Sequence, residues 1–233
     1  MTRSLLITNG TVVTWVPGDD LIENGAVLVE DGVISAVGKT SDLQSSAAGA
    51  EVIDARGQLI MPGNICAHTH FYGAFARGMA IPGPAPKDFP EILERLWWPL
   101  DQALDSEGVR YSALVCLVDA IKHGTTTLID HHASPNALGG SLDVIAGAID
   151  EAGLRAVLCY EVTDRYGPAS AKESIEENAH FIRAAANRER IRGTLGLHAS
   201  LTISEETLTA CIEAAKQVNA VFLTEYGLRA VLP

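Results

Sequence analysis

Regular alternation of strand-like and helix-like segments is the feature that most restricts the fold of this chain. Apolar, β-branched stretches of strand length are each followed by a longer stretch with helical apolar spacing. The predicted strands are 61–70, 125–130, 156–162 and 193–198, and the helices that follow them are 106–123, 141–152, 171–187 and 204–218. Repeated strand–helix units with apolar strands predict a parallel sheet covered by helices.

These four units resemble the beginning of a (β/α)8 barrel. A complete eight-unit barrel needs about 250 residues, and the 233-residue chain enters the pattern only at residue 61. We therefore predict an α/β chain with an N-terminal small β-sandwich module and an incomplete (β/α)8 TIM-type barrel of about the first four strand–helix units. The predicted domains are the β module at 1–60 and the N-terminal half of the barrel at 61–233.

Two turn signals organise the predicted β module. Asn9-Gly10 lies between the apolar runs 4–8 and 11–15, and Asp31-Gly32 lies between 26–30 and 33–37. Asn-Gly and Asp-Gly between apolar runs are strong hairpin signals. The sequence thus predicts one hairpin at each of these turns.

The first barrel strand ends in His68-Thr69-His70. Side chains alternate along a strand, so His68 and His70 point the same way and form a candidate metal half-site. Histidine binds several transition metals, so this spacing does not name the metal. The alternative is that both are polar residues at a strand edge.

Ionisable residues also follow the other three strands, at the face where parallel barrels carry their active sites. They are Asp130-His131-His132, Glu161 with Asp164-Arg165, and His198. We interpret Glu161, Asp164 and Arg165 as a structural salt bridge. Structural roles are also predicted for His123, in the last turn of a helix, and for the mid-helix His180.

A segment rich in proline and glycine follows the first strand. Residues 78–90 contain Pro82, Pro84, Pro86 and Pro90, which excludes a regular helix or a central strand. A substrate-covering loop and a simple surface excursion are both open. The predicted helix 91–103 carries Trp97-Trp98, which either packs on the core or closes a pocket.

Composition narrows the possible partners. The net charge of −12 argues against nucleic acid or an anionic membrane as a partner. Four scattered cysteines without a CxxC pair indicate reduced core residues. We find neither a signal peptide nor a run of membrane-spanning length, so we expect a cytoplasmic protein.

Residues 54–70 read D-x-x-G-x-x-x-x-P-G-x-x-x-x-H-x-H. This arrangement resembles the entry signature of the amidohydrolase superfamily. Gly124-Thr125-Thr126-Thr127 and Leu197-His198-Ala199-Ser200 are similar to the aminohydrolase group that includes chlorohydrolases, guanine deaminase and deaminases of adenosine derivatives. The resemblance extends over about residues 1–218.

The resemblance implies a site and a reaction. His68 and His70 would hold one divalent metal, Zn or Fe, whose bound water becomes hydroxide near neutral pH. That hydroxide would attack a carbon bearing an amino or similar leaving group and release ammonia. His198 would contact the substrate, and His131 and His132 are further substrate-binding candidates.

The resemblance also implies residues that this chain lacks. The family supplies a third metal histidine, a proton-shuttling Glu, a further His and an Asp from later strands, whereas no histidine follows His198. A fifth strand is expected near Asn219, but residues 219–233 do not match, so the catalytic residues stay unassigned. We predict a metal-dependent aminohydrolase whose truncated chain is inactive; the alternative is a non-catalytic half-barrel that forms a homo-oligomer or pairs with another chain.

Overall fold

A computed structural model describes residues 4–18, 20–45 and 47–226. Residues 225 and 226 are described by their backbone alone. The chain divides into two compact units, Met1–Gly63 and Asn64–Pro233. No helix in these described ranges is long and apolar enough to cross a membrane.

The first unit is a five-stranded mixed sheet. Its elements are β1 (Ser4–Val13), β2 (Leu21–Glu30), β3 (Val33–Lys39), the short helix α1 (Thr40–Leu43), β4 (Glu51–Asp54) and β5 (Leu59–Ile60). The strand order is β3-β2-β1-β4, with β5 also paired to β1. β2 is antiparallel to both β1 and β3, whereas β4 and β5 run parallel to β1.

The predicted hairpin at Asn9-Gly10 is wrong. These residues lie inside the continuous strand β1, where the pairing with β2 shifts register on both sides of Gly10. Asn9 has a φ of 56°, so the two residues form a bulge instead of a turn. Gly10 is required there, because a Cβ atom would lie 2.7 Å from the carbonyl oxygen of Gln58.

The hairpin predicted at Asp31-Gly32 is confirmed. β2 and β3 pair up to Glu30 and Val33, which leaves a two-residue turn. Asp31 and Gly32 have φ values of 48° and 82°, as a type I′ turn requires.

The second unit is a parallel sheet covered by helices. Its strands are β6 (Asn64–Thr69), β7 (Thr125–His132), β8 (Arg155–Val162), β9 (Ile191–Gly193), β10 (Leu195–Ala199) and β11 (Phe222–Tyr226). The order is β11-β10-β8-β7-β6, with β9 beside β8, and all pairs are parallel. The single strand predicted at 193–198 is therefore two strands.

The helices of this unit are α2 (Phe89–Ile92), α3 (Trp98–Ala103), α4 (Ser106–Lys122), α5 (Ser141–Ala152), α6 (Pro168–Ala185) and α7 (Glu205–Val218). A π-helical turn, Leu93–Trp97, joins α2 to α3, so the helix predicted at 91–103 is present with a bulge. The carboxylate of Asp105 and the hydroxyl of Ser204 accept backbone N–H groups at the starts of α4 and α7.

The main core lies between the parallel sheet and its helices. Leu142, Ile145 and Ile149 of α5 and Phe181 of α6 are fully buried against Leu158 of β8. This packing fixes the strands, and the polar residues at their carboxyl ends are thereby held at one face.

Candidate functional site

The candidate metal residues lie at the carboxyl end of β6. Their Nε2 atoms are 3.2 Å apart, and His68 is exposed while His70 is half-buried. Two histidine nitrogens bound to one tetrahedral zinc are about 3.3 Å apart, for Zn–N distances of about 2.0–2.1 Å. The spacing therefore fits two ligands of one metal ion.

A backbone contact fixes the ring of His70. Its Nδ1 lies 2.7 Å from the carbonyl oxygen of His131, and a carbonyl can only accept a hydrogen bond. Nδ1 thus carries the proton and Nε2 presents its lone pair, the arrangement seen in metal-binding histidines.

The donor set is incomplete. Within residues 4–18, 20–45 and 47–226, no group of three or more His, Cys, Asp or Glu side chains could hold a metal ion. Catalytic zinc sites normally have three protein ligands. His68 and His70 therefore make a two-ligand half-site.

His131 and His132 point in opposite directions along β7. The His131 ring stacks beside His68 at 6.4 Å, and its Nδ1 lies 3.7 Å from Glu161. His132 instead packs edge-on against Tyr160 and bonds Ser134 through Nε2. Burial, and to a smaller extent nearby histidines, lowers the pKa of His132 to about 3, so this ring is neutral. Both rings are fully buried, and the ring of His131 lies beside both candidate metal residues.

His198 lies at the end of β10 and is buried. Its Nδ1 is 2.5 Å from the hydroxyl oxygen of Thr202, and its Nε2 is 3.7 Å from a carboxylate oxygen of Glu161. His70 and His198 both line one cavity of about 200 Å³. The structure thus brings His70, one of the two candidate metal residues, and the predicted substrate residue His198 to the same cavity.

An aromatic wall closes one side of this cavity. Phe89, Trp97 and Trp98, which come from α2, the π-helical turn and α3, line it together with Tyr72. Both sequence interpretations of Trp97-Trp98 apply, because the two side chains line the cavity and Trp97 also packs against the main core. The loop before α2 is irregular up to Asp88.

A buried charge cluster adjoins this wall, since the guanidinium of Arg165 stacks on Trp98 at 5.1 Å. Arg165 pairs with Glu161, as predicted, and its Nη1 also lies 3.8 Å from Asp101. Burial raises the pKa of Asp101 to about 7, against the opposing effect of Arg165. Asp164 does not join the cluster; it accepts hydrogen bonds from Ser204 and Thr207 at the start of α7.

Sequence reasoning missed Asp101, and it placed Asp130 at the end of its strand without assigning it a role. Asp130 is fully buried, and its Oδ1 accepts the backbone N–H of Phe71 at 2.7 Å, which fixes the turn after the histidine pair. Burial raises its pKa to about 7. Asp101 lies one helical turn after Trp97. Only its contact with Arg165, which is distant in sequence, identifies it as part of the charge cluster. The two predicted structural histidines, His123 and His180, are exposed and lie near Asp119 and Asp143.

The sequence profile of the amidohydrolase family matches residues 59–224. The 5'-deoxyadenosine deaminase of Methanosarcina mazei is 31% identical over 218 residues, which cover 93% of this chain and 47% of that protein. The 5-methylthioadenosine/S-adenosylhomocysteine deaminase of Shouchella clausii is 32% identical, covering 91% of this chain and 47% of that protein. The chain spans about half the length of these curated relatives.

Solved structures confirm the predicted fold class. A triazine hydrolase from Arthobacter aurescens superposes with a TM-score of 0.81 at 21% identity, covering 97% of this chain and 53% of that one. A zinc-bound adenosine deaminase from Xanthomonas campestris superposes with a TM-score of 0.76 at 23% identity, covering 96% and 49%. The parallel sheet with its helices is thus an incomplete TIM-type barrel, and the family match over residues 59–224 shows that this chain belongs to the amidohydrolase family.

Proposed function

We propose that this chain carries the metal-binding entry half of an aminohydrolase that removes an amino group from a heterocyclic or amidine-like small molecule. The observation that carries the proposal is the 3.2 Å separation of the Nε2 atoms of His68 and His70, with His70 on the cavity that His198 also lines. The names of the curated relatives, deaminases of adenosine derivatives, support the reaction type.

The metal proposed here is Zn or Fe, and zinc is bound in a solved structural neighbour. His68 and His70 would hold it, and when bound it supplies Lewis-acid chemistry that lowers the pKa of a water molecule. The hydrogen bond from His70 to the carbonyl oxygen of His131 orients the ring for that role.

The remaining cavity residues would bind and orient the substrate. The faces and edges of Trp97 and Trp98 suit a planar ring, because aromatic pairs gain from stacked and edge-on contacts. His198 offers a hydrogen-bonding nitrogen in the same cavity. His131 and His132 are weaker candidates for substrate binding, because both are fully buried. The aromatic wall also keeps water away from the bound ring.

We further propose that the 233-residue chain alone does not turn over substrate at a useful rate, because its described residues hold only two metal ligands. The proposed domains are the β module at 1–60 and the half-barrel at 61–233. The four cysteines are free thiols, as expected for the proposed cytoplasmic location.

Cobalt binding tests the metal half-site directly. When the purified chain is titrated with Co²⁺, a visible absorption band should grow until one equivalent of Co²⁺ per chain has been added. Zinc should displace the bound cobalt and remove the band. His68→Ala and His70→Ala should each abolish the band, because one histidine remains. The exposed His180 provides the matched control, and His180→Ala should leave the band unchanged. Equal cobalt binding by all four proteins would refute the proposal.

A second candidate function, a non-catalytic half-barrel that pairs with a second copy, is favoured by one observation. Helix α4 buries one face, yet Tyr111, Val115, Val118 and Ile121 on its opposite side are each about half exposed. Such an apolar stripe marks an interaction surface. Light scattering should then show a dimer that Val118→Glu dissociates, and a monomeric wild-type chain would eliminate this candidate.

A further inference from the structure

The charged side chains that line the cavity do not balance one another. They are the carboxylates of Asp101 and Glu161 and the guanidinium of Arg165, with the titratable rings of His70 and His198. When both histidines are neutral, these groups carry two negative charges and one positive charge. Burying a charge without a counter-charge is costly, so the cavity favours a ligand that brings a positive charge.

Arg165 gives Asp101 less than it gives Glu161. One guanidinium nitrogen, Nη2, contacts the carboxylate of Glu161 directly, and Nε donates to the hydroxyl of Thr163. The other terminal nitrogen, Nη1, lies 3.8 Å from Oδ2 of Asp101, beyond the hydrogen-bond range of about 2.7–3.2 Å. Arg165 therefore offers Asp101 a nearby charge but no hydrogen bond.

Asp101 keeps one carboxylate oxygen that the described residues leave unsatisfied. Only 2% of its side chain is exposed, and its Oδ1 has no hydrogen-bond partner among those residues. Burial raises the pKa of Asp101 to about 7, although Arg165, His70 and the hydroxyls of Tyr72 and Tyr166 lower it. The surroundings thus compensate this negative charge only in part, and the carboxylate lines the cavity.

The aromatic rings at the cavity suit a planar cation. The guanidinium of Arg165 already lies over the rings of Trp98 and Tyr166, at 5.1 and 5.2 Å from their centres. Trp97 and Phe89 add further ring surface to the cavity wall. The cavity volume is about 200 Å³, below the about 300–1,000 Å³ of sites for drug-sized ligands, which favours a ligand with a single ring.

We propose that the cavity selects a planar organic cation, of the amidinium or protonated amino-heterocycle class, that donates an N–H group to Oδ1 of Asp101. Such a ligand supplies both a hydrogen bond and a positive charge to the carboxylate, and hydrogen bonds between charged groups are about twice as strong as neutral ones. A neutral compound of the same shape supplies only the hydrogen bond. The inference rests on the proposed function, because it treats this cavity as the substrate site, and it narrows the substrate class to cations.

Benzamidine and benzamide test this inference on the full chain, because they have nearly the same shape but only benzamidine is cationic. The chain is titrated with each compound at about pH 8, where unperturbed histidines are neutral, with a chelator present. Proton–nitrogen NMR signals of the tryptophan indoles report binding. We expect benzamidine to bind about tenfold or more tightly than benzamide. It should shift the signals of Trp97 and Trp98 but not that of Trp15, which lies in the first unit.

Two matched variants complete the design. Asp101→Asn should remove most of the preference for benzamidine, whereas Glu94→Gln, which removes an exposed carboxylate in the π-helical turn, should keep it. Equal affinities for the two compounds in the wild-type chain, or no binding of either, would overturn the inference without any variant. A preference retained in folded Asp101→Asn would also overturn it, by assigning the attraction to the net charge of −12. The chelator separates this result from the cobalt test, so cobalt binding without a preference for benzamidine would refute this inference alone.

Discussion

Removing the side chain of Asn178 should destabilise the half-barrel more than an ordinary polar substitution. Asn178 of α6 is fully buried and inserts its amide between β8 and β10. Its Oδ1 accepts the N–H of Tyr160 at 2.8 Å, and its Nδ2 donates to the carbonyl oxygen of Tyr160 at 2.8 Å. The two strands pair directly only at Glu161 and Val162, so the amide replaces a missing part of the ladder.

The magnitude follows from the groups that Asn178→Ala would leave behind. The backbone N–H and C=O of Tyr160 would lose these partners in the interior. Each buried polar group without a partner costs about 1–3 kcal/mol, so we expect a loss of about 2–5 kcal/mol in the free energy of unfolding. Asn178→Asp keeps the acceptor for the N–H group but loses the donor, and it places a buried carboxylate against the carbonyl oxygens of Tyr160 and Ser174, so its loss at neutral pH should be at least as large.

Urea unfolding followed by far-ultraviolet circular dichroism measures this loss. The exposed Asn187, just after α6, supplies the control variant Asn187→Ala, which should stay within about 0.5 kcal/mol of wild type. A loss below about 1 kcal/mol in Asn178→Ala would show that β8 and β10 close their own ladder, and would refute the bridging role. Hydrogen exchange at the Tyr160 amide should accelerate only in the Asn178 variants.

Two other substitutions test the same region. Gly196→Ala should destabilise the chain by about 1–3 kcal/mol, because its Cβ would lie 2.4 Å from the carbonyl oxygen of Tyr160. Thermal unfolding measures this loss, and an unchanged midpoint temperature would contradict the close approach. Burial raises the pKa of Asp101 to about 7, so its protonated form favours the folded state at low pH and that contribution is lost as the pH rises from about 4 towards 7. Asp101→Asn should remove this pH dependence from urea unfolding, and an unaltered pH profile would show that Asp101 is ionised throughout.

Features that depend on local sequence were predictable. Side chains alternate along a strand, so the sequence predicted that His68 and His70 lie on the same face. His131 and His198 were likewise predicted to lie at the carboxyl ends of their strands. The starts of the helices after Asp105 and Ser204 are local in the same way, because the capping side chain accepts a backbone N–H group within one turn. The Asp31-Gly32 turn follows from backbone conformations that these residues adopt readily.

Features that depend on distant contacts were not predictable. Asn9-Gly10 has the sequence of a hairpin turn, but Ala55 and Gly57 donate hydrogen bonds to the carbonyl oxygens of Thr8 and Asn9. These partners follow the next three strands in the chain and hold β1 straight through the bulge. Asp101 is similar, since its place on the cavity depends on Arg165, 64 residues later in the chain.

The described residues separate the proposed substrate cavity from the proposed metal half-site. The half-barrel contains the cavity, with its aromatic wall from Phe89 to Trp98 and with Glu161 and His198. Its candidate metal site is incomplete, because His68 and His70 supply only two of the three protein ligands that a catalytic zinc site normally requires. A planar compound can therefore contact most of its proposed binding surface without reaching a competent metal centre. On this reasoning, binding of planar heterocycles and weak chelation of cobalt should persist in the 233-residue chain, while turnover should appear only when further ligands complete the site.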